Sequence, residues 1–211
     1  MPAHLCYQAV GNRCAVDFEA LQLPIPWSKA LRLLVEGGFR PIEVDVITFA
    51  RHCIGRSRYQ RGARPSHAPA VVDCSSFTKW LYGQCGSWLP RRSIQQREYG
   101  EAIARGRIAA GDLVFVSGAK NYYLENPTDG VGHVGIATGT GTVIHAANRK
   151  VGVVESPLDA FVGVRGFRGA RRYVPIDHKV LTLQTPIARE VETSDDIRWI
   201  VLQSLPERRK T

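Results

Sequence analysis

The chain has 211 residues, 44% of them hydrophobic and 22% charged, which excludes a disordered or fibrous protein and suits one substantial domain with attachments, or at most two small domains. No apolar run approaches the roughly 18 residues needed to cross a bilayer, so no membrane span is expected. A formal charge of +9 points to an anionic partner such as nucleic acid, an anionic membrane surface or a wall polymer.

The arginines of "RSRYQRGAR" and "RGFRGARR" are not interleaved with regularly spaced aromatics, so nucleic acid is not the expected partner. The five cysteines, Cys6, Cys14, Cys53, Cys74 and Cys85, form no CxxC pair. Cys6, Cys14, His52 and Cys53 match no known ligand spacing, and neither a metal nor another cofactor is expected. The opening "MPAHLCYQAVGNR" lacks the basic, apolar and small-residue regions of a secretory signal. Cytoplasmic localisation with reduced thiols is the expectation. The alternative is delivery to the cell wall by a phage or by a route that needs no signal peptide.

Three zones emerge: an N-terminal extension over 1–42, a mixed unit over 43–175 and a C-terminal extension over 176–211. In the first, "WSKALRLLVEGG" predicts a helix capped by Ser28 and ended by Gly37 and Gly38. The mixed unit opens with "PIEVDVITFARHCIG", a helical pattern with Pro41 in its first turn. "CSSFTKWLYGQC" predicts a second helix, with Asp73 as N-cap and Phe77, Leu81 and Cys85 facing the core. "LPRRSIQQREYGEAI" predicts a third. From residue 111 the character changes. "GDLVFV", "HVGIAT", "TVIHAAN", "GVVES" and "VGVRGF" are short apolar, β-branched segments separated by glycine, which predict an antiparallel meander. Helices followed by strands define an α+β fold, with N-terminal helices packed on one face of an antiparallel β-sheet. The tail predicts a strand, "KVLTL", and a helix from Ser194 with Asp195 and Asp196 in its first turn. "PERRKT" is read as a frayed end, His67 as solvent-facing, and Trp27, Trp80, Trp88 and Trp199 as core or half-buried.

With Asp73 as cap, Cys74 is the first residue of its helix. Unpaired N–H groups and the positive end of the dipole there favour a thiolate and could later hold an oxyanion. A nucleophile needs a base, and "HVGIATGTGTVIHAAN" offers His133 and His145 on two strands joined by a turn. A loop centred on Gly139 places the histidines directly opposite each other, and one centred on Thr140 places them diagonally on one face. A two-residue loop would throw them to opposite faces. Gly135, Ala137 and Ala147 keep the histidine face low, leaving room for another element or a substrate. The resulting triad is Cys74, His133 as base and His145 as the group that orients it.

These residues resemble the NlpC family of papain-like cell-wall peptidases. The resemblance runs from about 43 to 168 through "GRSRYQRG", "DCSSF", "LPRRSIQQ", "GDLVFV", "GHVGIATGTGTVIHAA" and "VVESPL". It implies a papain-like α+β fold and hydrolysis of amide bonds in peptidoglycan stem peptides, typically next to γ-D-glutamate. It likewise implies Cys74 as nucleophile, His133 as base, His145 as third polar residue and a thioester acyl-enzyme. Tyr59 matches a tyrosine facing the family's active site, and Asp73, Ser75 and Ser93 match positions lining its groove. Three departures stand out: Ser76 replaces the usual glycine, the segment from Tyr59 to Cys74 is long, and Arg92 replaces an acid that reads a free amino terminus in some members. An amidase or acyltransferase acting on a non-wall substrate would share the triad. A binding module without turnover would not need it.

Overall fold

The structure, a computed structural model, describes residues 7–163 and 166–206. Cys6, most of "PERRKT", and Val164 and Arg165 of "VGVRGF" therefore lie outside the described residues. The first elements are β1 (Arg13–Asp17), α1 (Trp27–Glu36), β2 (Arg40–Ile42), α2 (Val46–His52), β3 (Arg58–Tyr59) and β4 (Val71–Val72). Next come α3 (Cys74–Gln84), α4 (Ser93–Arg97), β5 (Glu101–Ile103), β6 (Leu113–Val116), β7 (His133–Ala137) and β8 (Thr142–Asn148). The last are β9 (Gly152–Pro157), α5 (Asp159–Val162), β10 (Phe167–Arg172), β11 (Val180–Gln184) and α6 (Ser194–Gln203). No helix among the described residues is long and apolar enough to cross a membrane.

The chain divides into two compact units, one built from 45–82 and 89–174, the other from residues up to 44, 83–88 and 175 onward. In the latter, β11 lies between β1 and β2 in a three-stranded antiparallel sheet. The two terminal segments are thus hydrogen-bonded to each other. Ala30 and Leu34 of α1 and Ile197 and Val201 of α6 are buried with Cys14, Val16, Phe39 and Leu183.

Local physics moves several expected boundaries. Pro41 belongs to strand β2, opposite Leu183, and not to a helix; an edge strand tolerates its missing N–H. Helix α2 instead starts after Asp45, whose carboxylate accepts the N–H groups of Ile47 at 2.9 Å and Thr48 at 3.1 Å. Pro26, not Ser28, precedes α1. The third helix shrinks to the five residues of α4 before the chain turns into β5. Cys85 is only half-buried beyond the end of α3, and Trp27, Trp88 and Trp199 are exposed.

The other unit is a six-stranded antiparallel sheet in the order β5-β10-β6-β7-β8-β9. Side chains alternate between its faces with period two. On one face, Phe77 and Leu81 of α3 are fully buried with Val134, Ile136, Ile144 and Ala146. Burying each such side chain contributes about 1.5–3 kcal/mol. On the other, Phe161 and Val162 of α5 are buried with Val114, Val116, Ala137 and Val143. This short helix ends at Val162, the first residue of the "VGVRGF" segment expected as a strand, and β10 begins only at Phe167, its last. Inside the sheet, Arg172 makes a two-point ion pair with Asp112, at 2.9 and 2.8 Å.

Candidate active site

The site starts from the cap of α3. The Asp73 carboxylate accepts the N–H of Ser76 at 2.8 Å, and the Ser76 hydroxyl accepts the N–H of Asp73 at 2.8 Å. This reciprocal cap holds Cys74 at the first helical position. It also explains Ser76: the side chain is buried in the cap, not presented to a groove. Arg91 grips the same carboxylate at two points, 3.0 and 2.6 Å, and reaches the Ser75 hydroxyl at 3.0 Å. The N–H of Gly62 also donates to Asp73, at 2.9 Å. Burial by itself would raise the Asp73 pKa, but the hydrogen bonds from Arg91 and Ser76 outweigh it and hold the group below its ordinary value. Buried Gln96 donates to the carbonyls of Ser75 at 3.0 Å and Pro90 at 2.9 Å, fastening the "LPRRS" segment beside the start of α3.

The hairpin of β7 and β8 pairs Ile136 with Ile144 and Ala137 with Val143, so its loop centres on Thr140. Of the three turns considered, this one leaves His133 and His145 diagonal on one face. Nε2 of His133 lies 2.8 Å from Nδ1 of His145, and Nε2 of His145 lies 3.0 Å from the Ser156 hydroxyl on β9. The room above this face is filled by Phe161 of α5, whose ring centroid is 5.8 Å from that of His133 and 4.9 Å from that of His145. The backbone amides of Val134, next to His133, and of Ser75 hydrogen-bond the Cys74 sulfur, which places that thiol over the start of β7.

Burial sets the protonation states. Burial first, then the Asp73 carboxylate, pushes the Cys74 thiol up to about 11. Burial, then the neighbouring His145, lowers His133 to about 3, and burial lowers His145 to about 4. These directions favour a neutral thiol and two neutral imidazoles in the free protein. Burial of the sulfur thus opposes the thiolate that the helix terminus favours. A helix terminus contributes about 0.3–1 kcal/mol, too little to offset desolvation of a buried sulfur.

All the singled-out residues, Cys74, His133, His145, Tyr59, Asp73, Ser75, Ser93 and Arg92, line one cleft of about 760 Å³. The long segment from Tyr59 to Cys74 does not displace the tyrosine, because β3 and β4 pair in parallel and set Tyr59 beside Val72. His67 is exposed outside the cleft. Residues absent from the sequence reading also shape the site: Arg91, Ser156, Phe161, Arg61, Lys120 and Tyr122. Ser156 sits two positions from Val154, the partner of His145, so strand alternation alone could have found it. Elsewhere, Asp17, Glu19 and His178 cluster, but hydrogen bonds account for them: His178 Nδ1 lies 2.7 Å from Asp17, and Glu19 accepts the N–H of Lys179 at 2.7 Å.

The fold and site thus define a mixed α+β unit in which a cysteine at the first position of a helix and a histidine pair share one cleft. The model of the NlpC/P60 family matches residues 56–166, and the chain belongs to that family. It is 40% identical over 115 residues to a Corynebacterium glutamicum protein named "Probable endopeptidase", a match covering 54% of this chain and 47% of that protein. It is 32% identical over 103 residues to a Bacillus cereus protein named gamma-D-glutamyl-L-lysine dipeptidyl-peptidase, covering 49% of this chain and 29% of the other. The chain therefore spans less than half the length of these relatives. Among solved structures, it is similar to NlpC1 from Trichomonas vaginalis, with a TM-score of 0.50 and 25% identity over 61% of this chain and 42% of the other.

Proposed function

We propose that this protein is a cysteine peptidase that hydrolyses γ-D-glutamyl amide bonds in peptidoglycan stem peptides. One observation carries the reading. Cys74 stands at the start of α3 in the same cleft as a relay running from His133 through His145 to Ser156. Family membership and the name of the B. cereus relative support the substrate class.

The rings are neutral, so the relay has one productive arrangement. His133 donates its Nε2–H to Nδ1 of His145, which in turn donates its Nε2–H to Ser156. That leaves Nδ1 of His133 as an acceptor for the thiol proton. As Sγ attacks the amide carbonyl, the proton passes to His133, and the N–H of Cys74 at the start of α3 receives the developing oxyanion. Collapse breaks the C–N bond, the leaving amine takes the proton from His133, and a thioester remains on Cys74. Water then attacks the thioester with His133 again accepting a proton, which releases the carboxylic acid and restores the thiol.

Incubation with L-alanyl-γ-D-glutamyl-L-lysine peptides carrying an acylated amino terminus, followed by mass spectrometry, tests the assignment. Cleavage on the carboxyl side of the γ-D-glutamyl residue is expected. Turnover of unrelated amides or thioesters with none of these peptides would favour an amidase or acyltransferase.

A further inference from the structure

Resting on that reading, we propose that the cleft carries a carboxylate-recognition subsite built from Arg61, Arg92 and Tyr122, which selects stem peptides with a free carboxylate over their carboxamide counterparts.

Three segments converge there. Arg61 comes from the turn after β3, Arg92 from the residue before α4, and Tyr122 from the excursion between β6 and β7. Nη2 of Arg61 lies 3.4 Å from the Tyr122 hydroxyl, and the guanidinium of Arg92 lies 5.7 Å from the centroid of the Tyr122 ring. One tyrosine thus orients two guanidinium groups by a hydrogen bond and a cation–π contact. Lys120, on the same excursion, adds a further cation to the lining.

The charge is uncompensated. Among the described residues, the one acid lining the cleft is Asp73, and Arg91, Gly62 and Ser76 already occupy its carboxylate. Among the described residues, Arg61, Arg92 and Lys120 pair with no carboxylate. Like charges collected in a concave site are costly without a ligand and favour an anionic one. A planar guanidinium matches a carboxylate at two points, whereas a neutral carboxamide offers one acceptor and repels the fork with its own N–H groups. An ammonium group next to the scissile bond finds no free acid here.

The rim is also prearranged. Arg97 of α4 binds the Asp129 carboxylate at two points, both 2.7 Å, and its carbonyl at 2.9 Å, which ties the excursion bearing Tyr122 to the helix that follows Arg92. Less ordering is then required when a ligand arrives.

Calorimetric binding to the full-length Cys74→Ala protein tests this without turnover. The probes are N-acetyl-L-alanyl-γ-D-glutamyl-L-lysine and the same peptide with the glutamyl α-carboxylate converted to carboxamide. The expected result is about tenfold or greater preference for the carboxylate, lost when Arg61→Gln and Arg92→Gln are added to the same background. Both arginines are exposed, so the variants should fold, which circular dichroism would check. Equal affinity for the two peptides, a preference that survives both substitutions, or binding of neither peptide would overturn the subsite. If the preference holds but Cys74-intact protein cleaves neither peptide, the hydrolytic reading fails and the subsite stands.

Discussion

His145 falls opposite Gly135 when the β7–β8 register is continued from Ile136 and Ile144, yet its ring bonds to His133, two residues away. The diagonal reach is possible because position 135 has no side chain. A Cβ built there would lie 3.1 Å from Cβ of His145 and 2.4 Å from Cγ1 of Val143. Gly135→Ala should therefore push His145 off its partner and overpack the sheet by about 1–3 kcal/mol. Denaturant unfolding would read the loss, together with a fall in kcat/KM that exceeds what the folded fraction explains.

Ser156 closes the relay behind a buried histidine. Removing its hydroxyl in Ser156→Ala leaves the His145 Nε2–H without a partner, at about 1–3 kcal/mol. Expressed in the transition state, that is about a 5- to 160-fold fall in kcat/KM. Ser156→Thr, which keeps a hydroxyl, should recover most of the activity.

Neutral resting groups have a pH signature. His133, lowered to about 3, takes a proton only in strong acid, and Cys74, raised to about 11, loses its proton only in strong base. Alkylation of Cys74 in the free protein should climb with pH toward about 11, whereas a resting thiolate–imidazolium pair would already react fully at about pH 5–6. Stability should respond as well. Unfolded histidine binds a proton near pH ~6.5, and folded His133 and His145 near about 3 and 4, so between those values the unfolded chain holds more protons. Unfolding free energy should fall as pH drops from about 7 to 4, and His145→Asn should flatten that slope.

Local pattern carried much of this structure. The Asp73 cap, the burial of Phe77 and Leu81, the strands around His133 and His145, and the helix from Ser194 all follow from capping and periodicity. Contacts distant in sequence were not legible. Nothing in the local sequence around Phe161 shows that it covers two histidines, so the burial that neutralises them stayed hidden behind a helix-terminus argument. Arg91 stood beside a flagged arginine, but its grip on Asp73 spans 18 residues. Pro41 carried a helix-start signal that strand pairing with β11 overrode.

The most direct test of the account is to quench the protein in acid during turnover of an N-acylated γ-D-glutamyl-L-lysine stem peptide and map the acyl group by mass spectrometry. The account predicts a thioester adduct on Cys74, with neither adduct nor cleavage in a folded Cys74→Ala protein. An acyl group on another residue, or cleavage that continues unchanged without Cys74, would contradict it.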